Sequence, residues 1–260
     1  MSTIPPPILA ALDLADASWR PHLLAGLEAV AAANPAYLAQ LATDDYLPTD
    51  GRLFAAFALP VASVRYVLVG EGPYPRAASA TGVCFMDGAV EALWSVSGLA
   101  TAVNRATSLR NFMKMLLVAD GQLSSDNTGG AALAPVAAAA LAPGSGRIHT
   151  LPQLQARLTD HGFLLLNAAL VFRPHVAPAL DARAWLPLLQ VVLDALADSA
   201  TAGRPGPLLV LWGKIAEQLK RLPATARLPQ VQAEHPYNLS FIVNPAMQAL
   251  FGPLHLLDLE

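Results

Sequence analysis

Three short apolar runs, at positions 64–69, 162–167 and 208–213, and a fourth strand candidate at 230–232 punctuate a chain whose other segments repeat their apolar residues at helical spacing. The first three are near-continuous in Val, Leu, Phe and Trp, and each stops at a polar residue or a glycine. Runs of this kind predict strands buried on both faces rather than half-solvated ones. Between them the spacing predicts helices over 19–32, 93–103, 109–118, 185–197 and 214–221, with a turn at 48–51 before Leu53 to Phe57. Strands alternating with helices imply an α/β, three-layer sandwich with a central, mostly parallel four-stranded sheet flanked by helices. In such sheets ligands bind beyond the carboxyl ends of the strands. Those ends carry Glu71 to Pro75, Asn167, and His235 to Ser240.

Composition narrows the picture. Of 260 residues 54% are apolar and 13% charged, yet no unbroken apolar run reaches the ~18 residues of a membrane span. The first fourteen residues lack a basic stretch followed by an apolar one, so secretion is not indicated and a cytoplasmic protein is expected. A lone cysteine, Cys84, excludes an internal disulfide, a cysteine-based zinc site or an iron–sulfur cluster on this chain, and its simplest reading is a small buried hydrophobe. The formal net charge of −3 argues against a basic coat for nucleic acid, so any such contact would be focal. The Ala-, Gly- and Pro-rich segment 126–146 reads as a mobile surface insertion in an otherwise single domain spanning 1–260.

One ordered series of short motifs carries the functional signal. Gly70-Glu71-Gly72-Pro73-Tyr74-Pro75 ends the first strand and is followed by Gly82-x-x-Phe85. Next come Ser108-Leu109-Arg110-Asn111, Leu164-Leu165-Leu166-Asn167 and Leu211-Trp212-Gly213, and last His235-Pro236-x-x-Leu239-Ser240 and Phe251-Gly252-x-x-His255. Each alone is common: Asn167 could cap a helix and His235 could be structural. Their joint order resembles the uracil-DNA glycosylase superfamily, most closely family 1, whose first motif is Gly-Gln-Asp-Pro-Tyr-His and whose last is His-Pro-Ser-Pro-Leu-Ser. The resemblance runs from about residue 48 to the C-terminus, excepting 126–146.

The resemblance implies an enzyme that flips uracil out of DNA and hydrolyses its bond to deoxyribose without metal or cofactor, acting as a monomer on DNA containing uracil or a damaged base. It implies that Phe85 stacks on the base, Asn167 reads its Watson–Crick edge, and Tyr74 fills the space beside C5 and excludes thymine. His235 would donate to uracil O2 as negative charge builds there. Leu239 falls at the place of an apolar wedge, and Ser108, Ser240 and Arg110 fall near the loops that hold the phosphate backbone.

The departures matter as much. Gly72 stands where family 1 carries its catalytic Asp, Pro75 replaces the motif's His, and Tyr237-Asn238 replaces Ser-Pro. The Ser-His pair expected after the Asn167 segment falls in 177–180, where neither occurs. Glu71 is one position from the missing acid and resembles family 4, whose Gly-Glu-Gly-Pro-Gly turn accompanies a four-cysteine iron–sulfur site that this chain lacks. Neighbouring residues in an extended turn point different ways. Two functional readings therefore stand: a glycosylase in which His235 and the pocket supply most of the catalysis with Glu71 ordering water, or a catalytically impaired glycosylase fold that binds DNA or a protein partner without cleavage. An unrelated α/β enzyme is the third.

Overall fold

In a computed structural model, which describes residues 4–200 and 205–259, all four strand candidates are strands: β1 (Tyr66–Gly70), β2 (Phe163–Asn167), β3 (Leu208–Trp212) and β4 (Gln230–Ala233). They form one four-stranded sheet in the order β2-β1-β3-β4, flanked by helices, the α/β architecture the pattern predicts. β1 pairs in parallel with both neighbours, Val67 opposite Leu164 and Leu209, and Gly70 opposite Asn167. Val67, Val69, Leu164, Leu166, Leu209 and Leu211 face one helical core, while the alternate residues Leu68, Leu165 and Val210 are equally buried outside it. Burial on both faces is why these strands read as continuous apolar runs instead of alternating ones.

The described residues fold as two compact units. The first comprises those within Met1–Gly88, Gly162–Leu211 and Ile215–Val231. Its helix Arg20–Ala33 buries Leu23, Leu27 and Val30 on one face and packs against helix Pro178–Asp198, which buries Trp185, Leu188, Leu189 and Val192. Each such side chain, fully withdrawn from water, contributes about 1.5–3 kcal/mol. The second helix starts earlier than its apolar period suggests, because Pro178 and Asp181 occupy its first turn, where a missing N–H costs nothing and an acid suits the helix dipole.

The second unit comprises Ala89–His161, Trp212–Lys214 and the described part of Gln232–Glu260. Its core gathers Phe112, Trp212, Phe241 and Phe251 in edge-to-face and tilted contacts 5.1–6.3 Å apart. Two expectations are corrected within it. The segment 93–103 is not one helix: Trp94–Ser95 and Gly98–Leu99 form an antiparallel hairpin, and a helix runs only over Thr101–Arg105. Gly98 adopts φ +136, outside the helical range, and Val96 lies 88% exposed at the hairpin's tip. Likewise, most of the segment read as a mobile insertion is a helix, Gly130–Leu141, burying Leu133, Ala137 and Ala140 along one face. Among the described residues no helix is long and apolar enough to cross a membrane.

Candidate active site

The carboxyl ends of β1 and β2 are drawn together by a close approach at Gly70. A Cβ there would fall 2.5 Å from Cys84 Sγ and 3.2 Å from Asn167 Oδ1, so only glycine leaves room for both side chains. Pairing continues past the strands: Ala168 N–H donates to the Gly70 carbonyl at 2.8 Å and Ala169 N–H to the Glu71 carbonyl at 3.0 Å. Asn167 is only 4% exposed, and among the described residues no protein group hydrogen-bonds its side-chain amide. Such an amide carries a desolvation cost unless a ligand completes it.

Phe85 follows Cys84 in a tightly pinned loop. Cys84 N–H donates to the Leu165 carbonyl of β2 at 3.0 Å, and the Thr81 hydroxyl donates to the Met86 carbonyl at 3.0 Å. Phe85 itself sits at φ +68, a left-handed conformation that costs an aromatic residue on the order of 1 kcal/mol or more and is held by its surroundings. The Tyr74 hydroxyl lies 3.5 Å from the Phe85 carbonyl, at the outer limit of a hydrogen bond. Burial, reinforced by Cys84 and Asp87, pushes that phenol well above its ordinary range, so Tyr74 is a neutral wall. The Cys84 thiol is pushed up to about 12 by burial and is inert as a nucleophile.

Glu71 is exposed and lines a cavity of about 370 Å³ with Gly72, Pro73, Arg173, Asp181 and Gln218; Tyr74, Phe85 and Asn167 are not among its walls. Arg173 and Asp181 belong to a buried network that sequence reasoning missed. Arg173 grips Asp181 through Nε at 3.2 Å and Nη2 at 2.7 Å and reaches Asp44 through Nη1 at 3.0 Å, while the Tyr37 hydroxyl donates to Asp181 at 2.7 Å. No local pattern announces contacts that join residues 37, 44 and 173 to 181. Gly72 has room: a Cβ there would meet only Ala169, at an ordinary 3.5 Å.

In the second unit, the loop from Glu234 to Ser240 presents His235, Tyr237 and Leu239. Tyr237 N–H donates to His235 Nδ1 at 3.1 Å, so the neutral ring carries its proton on Nε2. Gly213, at φ +63, lies against this residue so closely that a Cβ would come within 2.9 Å of His235 Cβ. Tyr237 and Leu239 are both 69% exposed. Asn244 Nδ2 donates to Glu234 Oε2 at 2.8 Å. Burial opposes the charged form of Glu234, but hydrogen bonding outweighs it and holds the carboxyl below its ordinary value.

Ser108 and Arg110 stand in the first turn of helix Thr107–Ala119. Arg110 donates from Nη1 to the Asn104 carbonyl at 3.1 Å and from Nε to Asn111 Oδ1 at 3.3 Å. Burial, together with the charge on Arg110, lowers the Lys114 ammonium one turn further on. Among the described residues no group of three His, Cys, Asp or Glu side chains is placed to hold a metal ion.

No protein-family model matches the chain. The crystal structure of wild-type UNG from Nitratifractor salsuginis superposes with a TM-score of 0.86, at 38% identity, over 96% of each chain. A uracil-DNA glycosylase from Nocardioides sp. is 28% identical over 80% of this chain and 70% of its own length, and one from Mycobacterium avium is 26% identical over 92% and 86%. A mimivirus UNG structure, 17% identical with a TM-score of 0.55, shares the fold.

Proposed function

The chain belongs to the uracil-DNA glycosylase superfamily, and on that premise we propose that it is a base-excision repair enzyme hydrolysing the N-glycosidic bond of a flipped-out uracil, or a related deaminated base, in DNA. The observation that carries this reading is Asn167: a side-chain amide 4% exposed, engaged by no protein group, at the carboxyl end of a parallel strand. One donor and one acceptor on a single planar group match the edge of a pyrimidine that presents a carbonyl beside an N–H. Phe85, preset by its backbone, is the stacking platform, and Tyr74 fills the space a 5-methyl group would need.

His235 then supplies the electrophilic donor. Tyr237 N–H donates to its Nδ1, which puts the neutral ring's proton on Nε2, the atom that would donate to uracil O2 as the bond to the sugar breaks and charge moves into the base. The exposed Leu239 is the wedge that replaces the extruded nucleotide in the stack, and Ser108, Ser240 and Arg110 contact the backbone. Glu71 is the carboxylate remaining in the turn to order water, drawn from the cavity it lines. The chemistry needs no metal or cofactor. A binding protein without cleavage, the reading raised by Gly72, has no support among relatives named as glycosylases.

The test is release of free base from single-stranded and duplex oligonucleotides containing one deoxyuridine. Release is expected, with a loss of about 100-fold or more in His235→Ala and Asn167→Ala. Tight binding with no release at high enzyme concentration would refute the reading.

A further inference from the structure

We propose that Asn111 is a positioning residue for this reaction, acting through the loop that carries His235 and Leu239; the proposal rests on the glycosylase reading above. Asn111 is fully buried on helix Thr107–Ala119. Its Nδ2 lies 2.7 Å from the Pro236 carbonyl, 3.3 Å from that of Tyr237 and 3.4 Å from that of Asn238. Three successive carbonyls thus converge on one NH₂ group. Their convergence fixes which way the amide faces, because only its nitrogen can meet acceptors, and Arg110 Nε completes the assignment by donating to Oδ1 on the other side.

Such an anchor matters because the loop is mostly exposed: of residues 235–240 only Pro236 is buried. The loop's own bonds are Tyr237 N–H to His235 Nδ1, and Asn238 N–H at 2.9 Å and Nδ2 at 3.2 Å to the His235 carbonyl, while the side chains of Tyr237 and Leu239 project into solvent. The Tyr237 N–H that sets the His235 tautomer belongs to the same residue whose carbonyl Asn111 holds. Losing the amide frees the peptide groups on which the imidazole's direction depends. Glu234, before the loop, is tied to Asn244, after it, so removing Asn111 releases the segment between two fixed ends instead of unfolding the unit.

The experiment compares single-turnover base release by the wild type, Asn111→Ala, His235→Ala and the double variant, with Leu133→Ala, a buried residue of the same unit outside the loop, as a stability control. Misplacement of a reacting group by ~1 Å costs about 100-fold, so Asn111→Ala is expected to lose between about tenfold and 100-fold. The double variant should be no slower than His235→Ala, since of the two groups on the loop it is the His235 imidazole, through the Tyr237 peptide, that Asn111 positions, and Leu239 lies beyond the three carbonyls it holds. Leu133→Ala should lose thermal stability and keep its rate. Hydrogen exchange in the free protein should speed up at Tyr237 and Asn238 in Asn111→Ala. If that variant does not fold, Asn111→Ser, which keeps one donor, carries the same comparison. A rate within twofold of wild type, unchanged exchange, or a double variant slower in proportion to both single losses overturns the proposal while leaving the glycosylase reading intact. A wild type that releases no base from any deoxyuridine oligonucleotide sinks both.

Discussion

Replacing Gly72 by Asp puts an acid where family 1 has one, and the structure sets what that should do. The added Cβ meets Ala169 at 3.5 Å, and the backbone at this position lies outside the left-handed region, so neither clash nor strain opposes it. Removing a glycine from the unfolded chain stabilises by about 0.4–1 kcal/mol at a compatible site. Repulsion from exposed Glu71 next door offsets a similar amount, as for other solvent-screened pairs. The melting temperature should therefore barely move. A unit negative charge ~4 Å from a unit positive charge is worth about 4 kcal/mol at an effective dielectric near 20. The sugar develops only part of a charge and the turn is wet, so about 1–3 kcal/mol is expected, or roughly five- to 150-fold in rate. The assay is single-turnover release from a deoxyuridine oligonucleotide near neutral pH, with Gly72→Asn as the uncharged isostere. Acceleration by Asp and not by Asn supports the argument. Folded Asp and Asn variants with equal rates would refute it.

Three further outcomes follow from the same geometry. Glu71→Gln should slow base release by less than Asn167→Ala does, because Asn167 is nearly buried whereas Glu71 is exposed on the wall of a separate cavity; an unchanged rate removes Glu71 from the chemistry. Asp181→Ala leaves the Arg173 guanidinium buried with Asp44 as its remaining carboxylate, so urea unfolding should show a loss of about 3 kcal/mol, and a loss under ~1 kcal/mol would mean the network is dispensable. Cys84 should resist alkylation in the folded protein. Its folded value, raised to about 12, means the stability it contributes is complete below the ordinary thiol range and is lost as pH climbs from there toward about 12; Cys84→Ala should flatten that alkaline slope, as read by denaturation at several pH values.

Three strands of the sheet were legible because they are buried on both faces and so write their positions into near-continuous apolar runs; the fourth, Gln230–Ala233, is partly exposed and carries only Val231 and Ala233 as apolar residues. The hairpin at Trp94–Ser95 and Gly98–Leu99 was not legible, because Leu93, Val96, Leu99 and Val103 happen to fall at helical spacing, and only the 88% exposure of Val96 reveals that one of the four faces water. Helix Gly130–Leu141 hid behind its composition: an Ala-rich segment looks simple, yet Leu133, Ala137 and Ala140 are an adequate stripe for a helix with small contacts. For the site, motif order pointed to Tyr74, Phe85 and Asn167, and the structure gathers these in the first unit. It could not assign work to Asn111, whose partners lie more than 120 residues away, nor to Arg173 and Asp181, whose pairing depends on how helix Pro178–Asp198 returns past β2.

Phe85, fixed at φ +68, has a consequence for anyone who engineers this protein. A position where the native residue is strained is one where replacement by glycine or asparagine relieves the backbone. A library sorted for thermal tolerance alone would be drawn toward such replacements and would discard the ring proposed above as the stacking platform. On that proposal, endurance and base recognition pull in opposite directions at this residue, and a screen that reads only the first will erode the second.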